Sequence, residues 1–212
     1  MRKKEGDKNK DILDAAIAVF AREGFDKAQI TAIAAEAGVG TGSVYLYFRS
    51  KDEILDGIFE RFWKNLLVEL QGLPTAPPRE SLRAQLGLLF DCLAGDANLM
   101  RIYLRESHRH ALRADAIGSR ERQTCLDIGE TTFQKGAEDG VFRSALPLGL
   151  ARSFVFGGIR SALAWWLDGL ATGLGVRPVE NLEACREAAL DLAISALLAH
   201  GVPTAKNRRG RS

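Results

Sequence analysis

Residues 30–48 read Ile30-Thr31-Ala32-Ile33-Ala34-Ala35-Glu36-Ala37-Gly38-Val39-Gly40-Thr41-Gly42-Ser43-Val44-Tyr45-Leu46-Tyr47-Phe48, with Gln29 just before and Lys51 just after. The side chains here that can do chemistry are hydroxyls, phenols, one amide and one ammonium, a set suited to phosphate oxygens and base edges. Ala34 is small enough for two helices to cross closely, and Gly38, four residues on, can take the positive φ of a tight turn. Ile33, Val39, Val44 and Phe48 are placed to fill the angle between the two helices. This is the logic of a helix-turn-helix over about 29–48, whose second helix is free to enter a major groove. Gly40 and Gly42 each cost up to ~1 kcal/mol relative to Ala in a helix, so neighbours must pack it. In exchange they leave bare backbone that can approach a DNA strand. Thr41 and Tyr45 share one face, and Val44 and Phe48 another. Gln29, Thr41 and Ser43 are placed to touch bases, Tyr47 and Lys51 flank the helix, and the amides at the Ser50 helix start form an anion site.

Catalysis has no such foothold. His108, His110 and His200 are the only histidines, and the His108-Arg109-His110 spacing turns the two rings about 200° apart on a helix, so they share no metal. There is no His-Glu-x-x-His, no Gly-x-Ser-x-Gly and no phosphate-binding Gly-Lys-Ser/Thr loop. We therefore expect no enzyme, no metal and no cofactor. Cys92, Cys125 and Cys185 are far apart and odd in number, which reads as apolar thiols in a reducing compartment. No apolar run follows the charged N-terminus, and the most apolar stretch, Leu148 to Leu170, is interrupted by Arg152, Arg160 and Asp168. The expectation is a cytoplasmic protein with no membrane span or signal peptide.

Helices must position these groups, because strand signals are nearly absent and helix punctuation is frequent. The first helix is expected from about Asp11 to Arg22, with Ile12, Ala15, Ala16, Val19 and Phe20 on one face, stopping at Gly24. Short helices follow over about 30–37 and 41–47. A long fourth helix begins at the capping box Ser50-Lys51-Asp52-Glu53 and breaks at Gly72 and Pro74. Beyond the Pro-rich segment 72–78, helices are expected over about 79–93, 97–112 (capped by Asp96), 119–139, 147–170 and 179–200. The fold class is all-α with about nine helices. With 212 residues, 46% of them apolar, the chain holds a real core. A net charge of +2 says nothing about nucleic acid by its total, and residues 1–51 carry nine Lys/Arg against seven Asp/Glu. The N-terminal arm with Arg2, Lys3, Lys4, Lys8 and Lys10 reads equally as a phosphate-contacting arm or a solvated tail.

The pattern Ile12-Leu13-x-Ala15-Ala16, Phe20, Gly24-Phe25, Ile30-x-x-Ile33-Ala34-x-x-Ala37-Gly38-Val39-x-x-Gly42-x-x-Tyr45-x-Tyr47-Phe48-x-x-Lys51-x-x-x-Leu55 resembles the DNA-binding signature of the TetR family of bacterial one-component regulators. The resemblance covers residues 6–66 and implies a three-helix DNA-binding domain there. By the same resemblance, Tyr47 and Lys51 grip phosphates, and Thr41, Gly42, Ser43 and Tyr45 face the groove. Ala28 stands where relatives usually carry Thr as the second helix's cap, leaving Gln29 or Thr31 to supply that contact. Residues 67–203 are then a larger helical effector-binding and dimerisation domain, and 204–212 a basic disordered tail. The implied function is a homodimeric transcriptional regulator, a repressor released from double-stranded operator DNA by a small hydrophobic effector. The alternative is a helical ligand-binding or adaptor protein without operator binding.

The helix near 150–170 is apolar nearly all round, with Phe154, Val155, Phe156, Ile159, Leu163, Trp165, Trp166 and Leu167, so burial on more than one side is expected. The last helix sets a wet stripe of Glu183, Glu187 and Asp191 against a dry face of Leu182, Cys185, Ala189, Leu192, Ala193, Ala196 and Leu197. By the family resemblance these last two helices form the dimer seam. Leu99, Tyr103, Glu106 and His110 share a face of the sixth helix, and with Phe90, Phe133, Phe154 and Trp165 they are the candidate effector residues. Arg101, Arg105, Arg109 and Arg113 flank them and could dock an anionic group, or be solvated surface. Leu104-Arg105-Glu106-Ser107, Gly136 with Gly140-Val141-Phe142, and Leu150-Ala151-Arg152 with Phe156-Gly157 resemble the ligand domain of the fatty-acid-degradation regulators of this family. That likeness implies a long-chain acyl-CoA effector; a general hydrophobic-compound sensor is the competitor.

Overall fold

In a computed structural model, residues 5–112, 120–168 and 181–199 are described. They form helices α1 (Glu5–Glu23), α2 (Ile30–Glu36), α3 (Thr41–Tyr47), α4 (Lys51–Gln71), α5 (Pro78–Ala94), α6 (Ala97–Leu112), α7 (Arg120–Glu138), α8 (Leu148–Asp168) and α9 (Leu182–Leu197). The all-α expectation holds: extended pairing among the described residues is confined to a single antiparallel bridge between Phe142 and Leu198. No helix among them is long and apolar enough to cross a membrane. The Pro178 and Val179 helix start, the Gly201–Pro203 stop, the basic tail, Arg113 and the residues Arg2, Lys3 and Lys4 lie outside the described residues.

The helix boundaries follow local hydrogen bonding. Ser50 Oγ accepts from the Glu53 amide at 3.2 Å, as the capping box predicts. The return arm differs: Glu53 Oε2 accepts from the Arg49 amide, one residue before the cap. Asp96 Oδ1 accepts from the amides of Asn98 (2.9 Å) and Leu99 (3.1 Å) and starts α6. The last helix begins at Leu182 rather than near 179, because Asn181 Oδ1 caps it through the Ala184 amide at 2.8 Å. The first begins earlier than expected, at Glu5.

By contacts the chain divides into two compact units: residues up to 72 with 91–125, and residues 73–90 with 126 onward. Two of the three divisions fall inside α5 and α7, the third between α4 and α5. In the first unit, α1 packs on α2, α4 and α6. Its expected face is buried: Ile12, Ala16 and Val19 are solvent-free, and Ala15 and Phe20 nearly so. Against it α4 sets Ile54, Leu55, Ile58, Phe59, Phe62, Trp63 and Leu66. Burying such side chains contributes roughly 1.5–3 kcal/mol each.

The second unit is centred on α8 against α9. Ala151, Val155, Ile159 and Leu163, spaced four apart, are buried, as are Cys185, Leu190, Ala193, Ile194 and Leu197. The expectation that α8 is covered on several sides is corrected within this chain: Leu150 and Phe154 are 59% and 61% exposed. Leu192, expected on the dry face of α9, is 73% exposed as well. A stripe spaced by four buries one side only, and among the described residues no element of this unit covers the other. On the wet side, Arg83 of α5 pairs with Glu187 (2.5 Å) and Asp191 (2.6 Å). Behind α7, a Cβ at Gly136 would overlap the Phe142 ring, so only glycine admits that ring. Phe142 then stacks on Phe133 with centroids 5.5 Å apart, and Ala199 donates to the Val141 carbonyl at 3.0 Å.

Candidate nucleic-acid interface

The turn between α2 and α3 is built as its residues dictate. Gly38 has φ +65°, a conformation that side-chain-bearing residues rarely take. The Val39 amide reaches back to the Ala34 carbonyl (3.0 Å) and the Gly38 amide to that of Ala35 (3.2 Å), the paired bonds that close a helix at a left-handed residue. Ile33 and Val44 are solvent-free and Phe48 is buried, as the helix-turn-helix reading requires; Val39 is only half-buried. Held by Val44 and Phe48, α3 turns its other side outward. Gly42 is exposed and open, Tyr45 is 53% exposed, and Thr41, Ser43 and Tyr47 are half-buried at the edges.

Gln29 is the N-cap of α2, but its side chain makes no capping bond. Its Oε1 instead accepts from Thr31 Oγ1 at 3.4 Å, so these two exposed candidates sit together at the start of α2. Ala28, in the place of the usual Thr, is 2% exposed and fills core space.

Lys51 binds backbone. Its Nζ donates to the carbonyls of Phe25 (2.9 Å), Asp26 (3.0 Å) and Ala28 (2.9 Å), which uses all three ammonium donors. The ammonium also lies 5.1 Å from the Phe25 ring centroid. The reason is local: the turn after α1 leaves carbonyls without intrahelical donors, and the start of α4 supplies a cation to them. Lys51 thereby ties α4 to the α1–α2 turn, where the family resemblance gives it a phosphate. Phe25, beside Gly24, belongs to the same sequence pattern, but its apolar side chain gives no local signal of this contact.

Charge around the interface is modest. Arg22 donates to Glu23 (3.1 Å) and Glu36 (3.3 Å), and these bonds hold its guanidinium above its ordinary range. Burial pushes the Asp14 carboxyl up, but hydrogen bonds from Lys10 and Arg61 and their charges outweigh it and hold the group below the usual range. Lys10, Asp14 and Arg61 edge an open cavity of about 350 Å³ in the first unit, walled by Ile17, Ile58, Phe62 and Leu99.

The candidate effector residues belong to both units. Leu99 lines that cavity, whereas Tyr103 packs edge-on against Phe59 (6.3 Å) and tilted against Phe62 (5.8 Å) in the same unit. Glu106 is half-buried there, and the His110 side chain lies outside the described residues. Phe90 and Phe133 belong to the second unit's buried core, Trp165 is half-buried and Phe154 faces outward. The helical arithmetic that grouped Leu99 with His110 concerned one helix and could not include what packs on it. Of the arginine stripe, Arg101 is half-buried and Arg105 exposed; the Arg109 side chain lies outside the described residues. Arg152 pairs with Glu130 at 2.6 Å. Cys125 and Cys185 are buried, and burial pushes the Cys125 thiol up to about 11.

Comparison with known proteins agrees with this geometry. Residues 12–58 match the model for "Bacterial regulatory proteins, tetR family". The "Fatty acid metabolism regulator protein" of Bacillus subtilis is 30% identical over 169 residues, 78% of this chain and 86% of that protein. Among solved structures, the fatty acid degradation regulator FadR of Bacillus halodurans superposes with a TM-score of 0.71 at 26% identity, covering 95% of this chain and 99% of that one. The transcriptional regulator FadR of Bacillus subtilis, solved in complex with stearoyl-CoA, gives 0.67 at 28% identity, over 89% and 98%. With a helix-turn-helix of matching residues and likeness extending over most of the chain, this protein belongs to the TetR family of bacterial regulatory proteins.

Proposed function

We propose that this chain is a cytoplasmic, homodimeric repressor that leaves its operator when a long-chain acyl-CoA binds. The observation that carries the effector class is the 28% identity over 98% of a FadR chain solved with stearoyl-CoA. In this reading residues 6–66 bind DNA, and residues 67–203 bind the effector and dimerise. Gln29, Thr31, Thr41, Gly42, Ser43, Tyr45 and Tyr47 meet the duplex, with Lys51 holding the frame. The uncovered apolar positions Leu150, Phe154 and Leu192, with open backbone at Gly157 and Gly158, support dimerisation through α8 and α9. A dimer also suits DNA, because paired recognition helices must sit about 34–36 Å apart to enter successive major grooves. Release follows if the effector favours the DNA-incompetent state; a tenfold loss of DNA affinity needs ~1.4 kcal/mol of coupling.

The test is a gel-shift titration against DNA from upstream of the protein's own gene and against duplexes selected from a random pool, with and without stearoyl-CoA. A shift that stearoyl-CoA abolishes supports the whole reading. A shift indifferent to it removes the acyl-CoA effector, and no selected duplex removes the regulator.

A further inference from the structure

The most exposed large apolar side chain of the described residues is Leu46 of α3, at 84%. At about 100° per residue it lies diametrically opposite the midpoint of Val44 and Phe48, the two residues that seat α3. It therefore sits at the centre of the outward face, with the open backbone of Gly42 one turn earlier and Tyr45 and Ser43 on either side. Single exposed leucines are common on protein surfaces, but this one stands alone at the middle of an otherwise hydrogen-bonding face. The glycine beside it lets the helix come close to its target without a side chain intervening. An isobutyl group there can make no hydrogen bond, so it reads only what is apolar in a major groove. The apolar feature of that groove's base edges is the thymine C5-methyl.

We infer that Leu46 is a base-reading residue that packs against a thymine methyl of the operator; this rests on the DNA-binding reading above. Binding to the thymine edge buries the methyl and the leucine together, and loss of either member forfeits the contact. Removing one methyl is worth about fourfold in affinity, ~0.8 kcal/mol.

Duplexes are selected from a random pool with the full-length protein. Each thymine of the selected duplex is then replaced in turn by deoxyuridine, which lacks only the methyl, and affinity is read by fluorescence anisotropy. The expected result is one thymine per bound recognition helix at which uracil weakens the unaltered protein about fourfold, while L46A binds the thymine and uracil duplexes alike. L46M restores the sensitivity, and both variants melt at the unaltered temperature because the side chain is exposed. If L46A weakens binding but keeps every uracil response, the contact is with sugar or phosphate and the inference is overturned. It is equally overturned if L46A binds as the unaltered protein does. Failure to select any duplex overturns the DNA-binding reading itself, an outcome separate from both.

Discussion

Helices α3 and α8 both carry glycines and both leave large apolar side chains in the open, yet they do so in different company. In α3, Tyr45 at 53% and Leu46 at 84% exposure share the outward face with Thr41, Ser43 and Tyr47, each able to hydrogen-bond. In α8, Leu150 and Phe154 stand with Gly157 and Gly158, and Arg152 between them is paired to Glu130. A face of mixed apolar and hydrogen-bonding groups matches a groove that presents methyls, donors and acceptors. A face of leucine, phenylalanine and glycine matches another apolar helix face. Exposure alone therefore does not define an interface; the polar content of the surrounding residues indicates the kind of partner.

The largest effect should come from α3's seat. Val44→Asp places a charge where the side chain is solvent-free, so we expect several kcal/mol of destabilisation and complete loss of DNA binding, read by thermal melting and gel shift. The corresponding change on α8, Phe154→Asp, alters an exposed position. Its expected outcome is an intact fold but a shift from dimer to monomer in sedimentation, with affinity for a two-half-site duplex falling at least tenfold. An unchanged sedimentation coefficient would show that the exposed face of α8 is not a dimer contact.

Lys51 sharpens it next. Lys51→Met removes three donors from backbone carbonyls, for which we expect a loss of about 1–3 kcal/mol in stability. A lysine on a phosphate would carry about 0.9 of the log–log salt slope of DNA binding, whereas a positioning lysine carries none. The slope should therefore be unchanged in Lys51→Met even as affinity falls.

The smallest effect concerns Asp14. Its carboxyl is held below the usual range when folded, so its contribution is present above the unfolded value near 3.8 and is lost as pH falls through the lower folded value. Both partners are partly solvated, which limits the effect to under about 1 kcal/mol. Asp14→Asn should flatten that part of an acid-stability curve, and an identical curve would exclude the contribution.

Much of this was legible in the chain because the signals are local. Gly38, the Ser50 box, the Asp96 cap and the buried faces of α1 and α3 each depend on residues within a few positions of one another, where helical period and capping chemistry apply directly. Leu46 was legible too: stepping 100° per residue from Val44 places it outward, though it carries no hydrogen-bonding group. Other features depended on residues far apart in sequence. Lys51 meets Phe25, Asp26 and Ala28 across more than twenty residues, and Arg83 meets Glu187 and Asp191 across more than a hundred. The candidate effector residues come from four helices and divide between two compact units. Sequence alone was enough for the order of the helices, the Ser50 and Asp96 caps and the buried faces of α1 and α3, because those are properties of neighbouring residues. Only the tertiary structure decided that Lys51 caps a turn, that Tyr103 fills an aromatic cluster and that Phe154 lies open, because each depends on which distant segment occupies the space beside it.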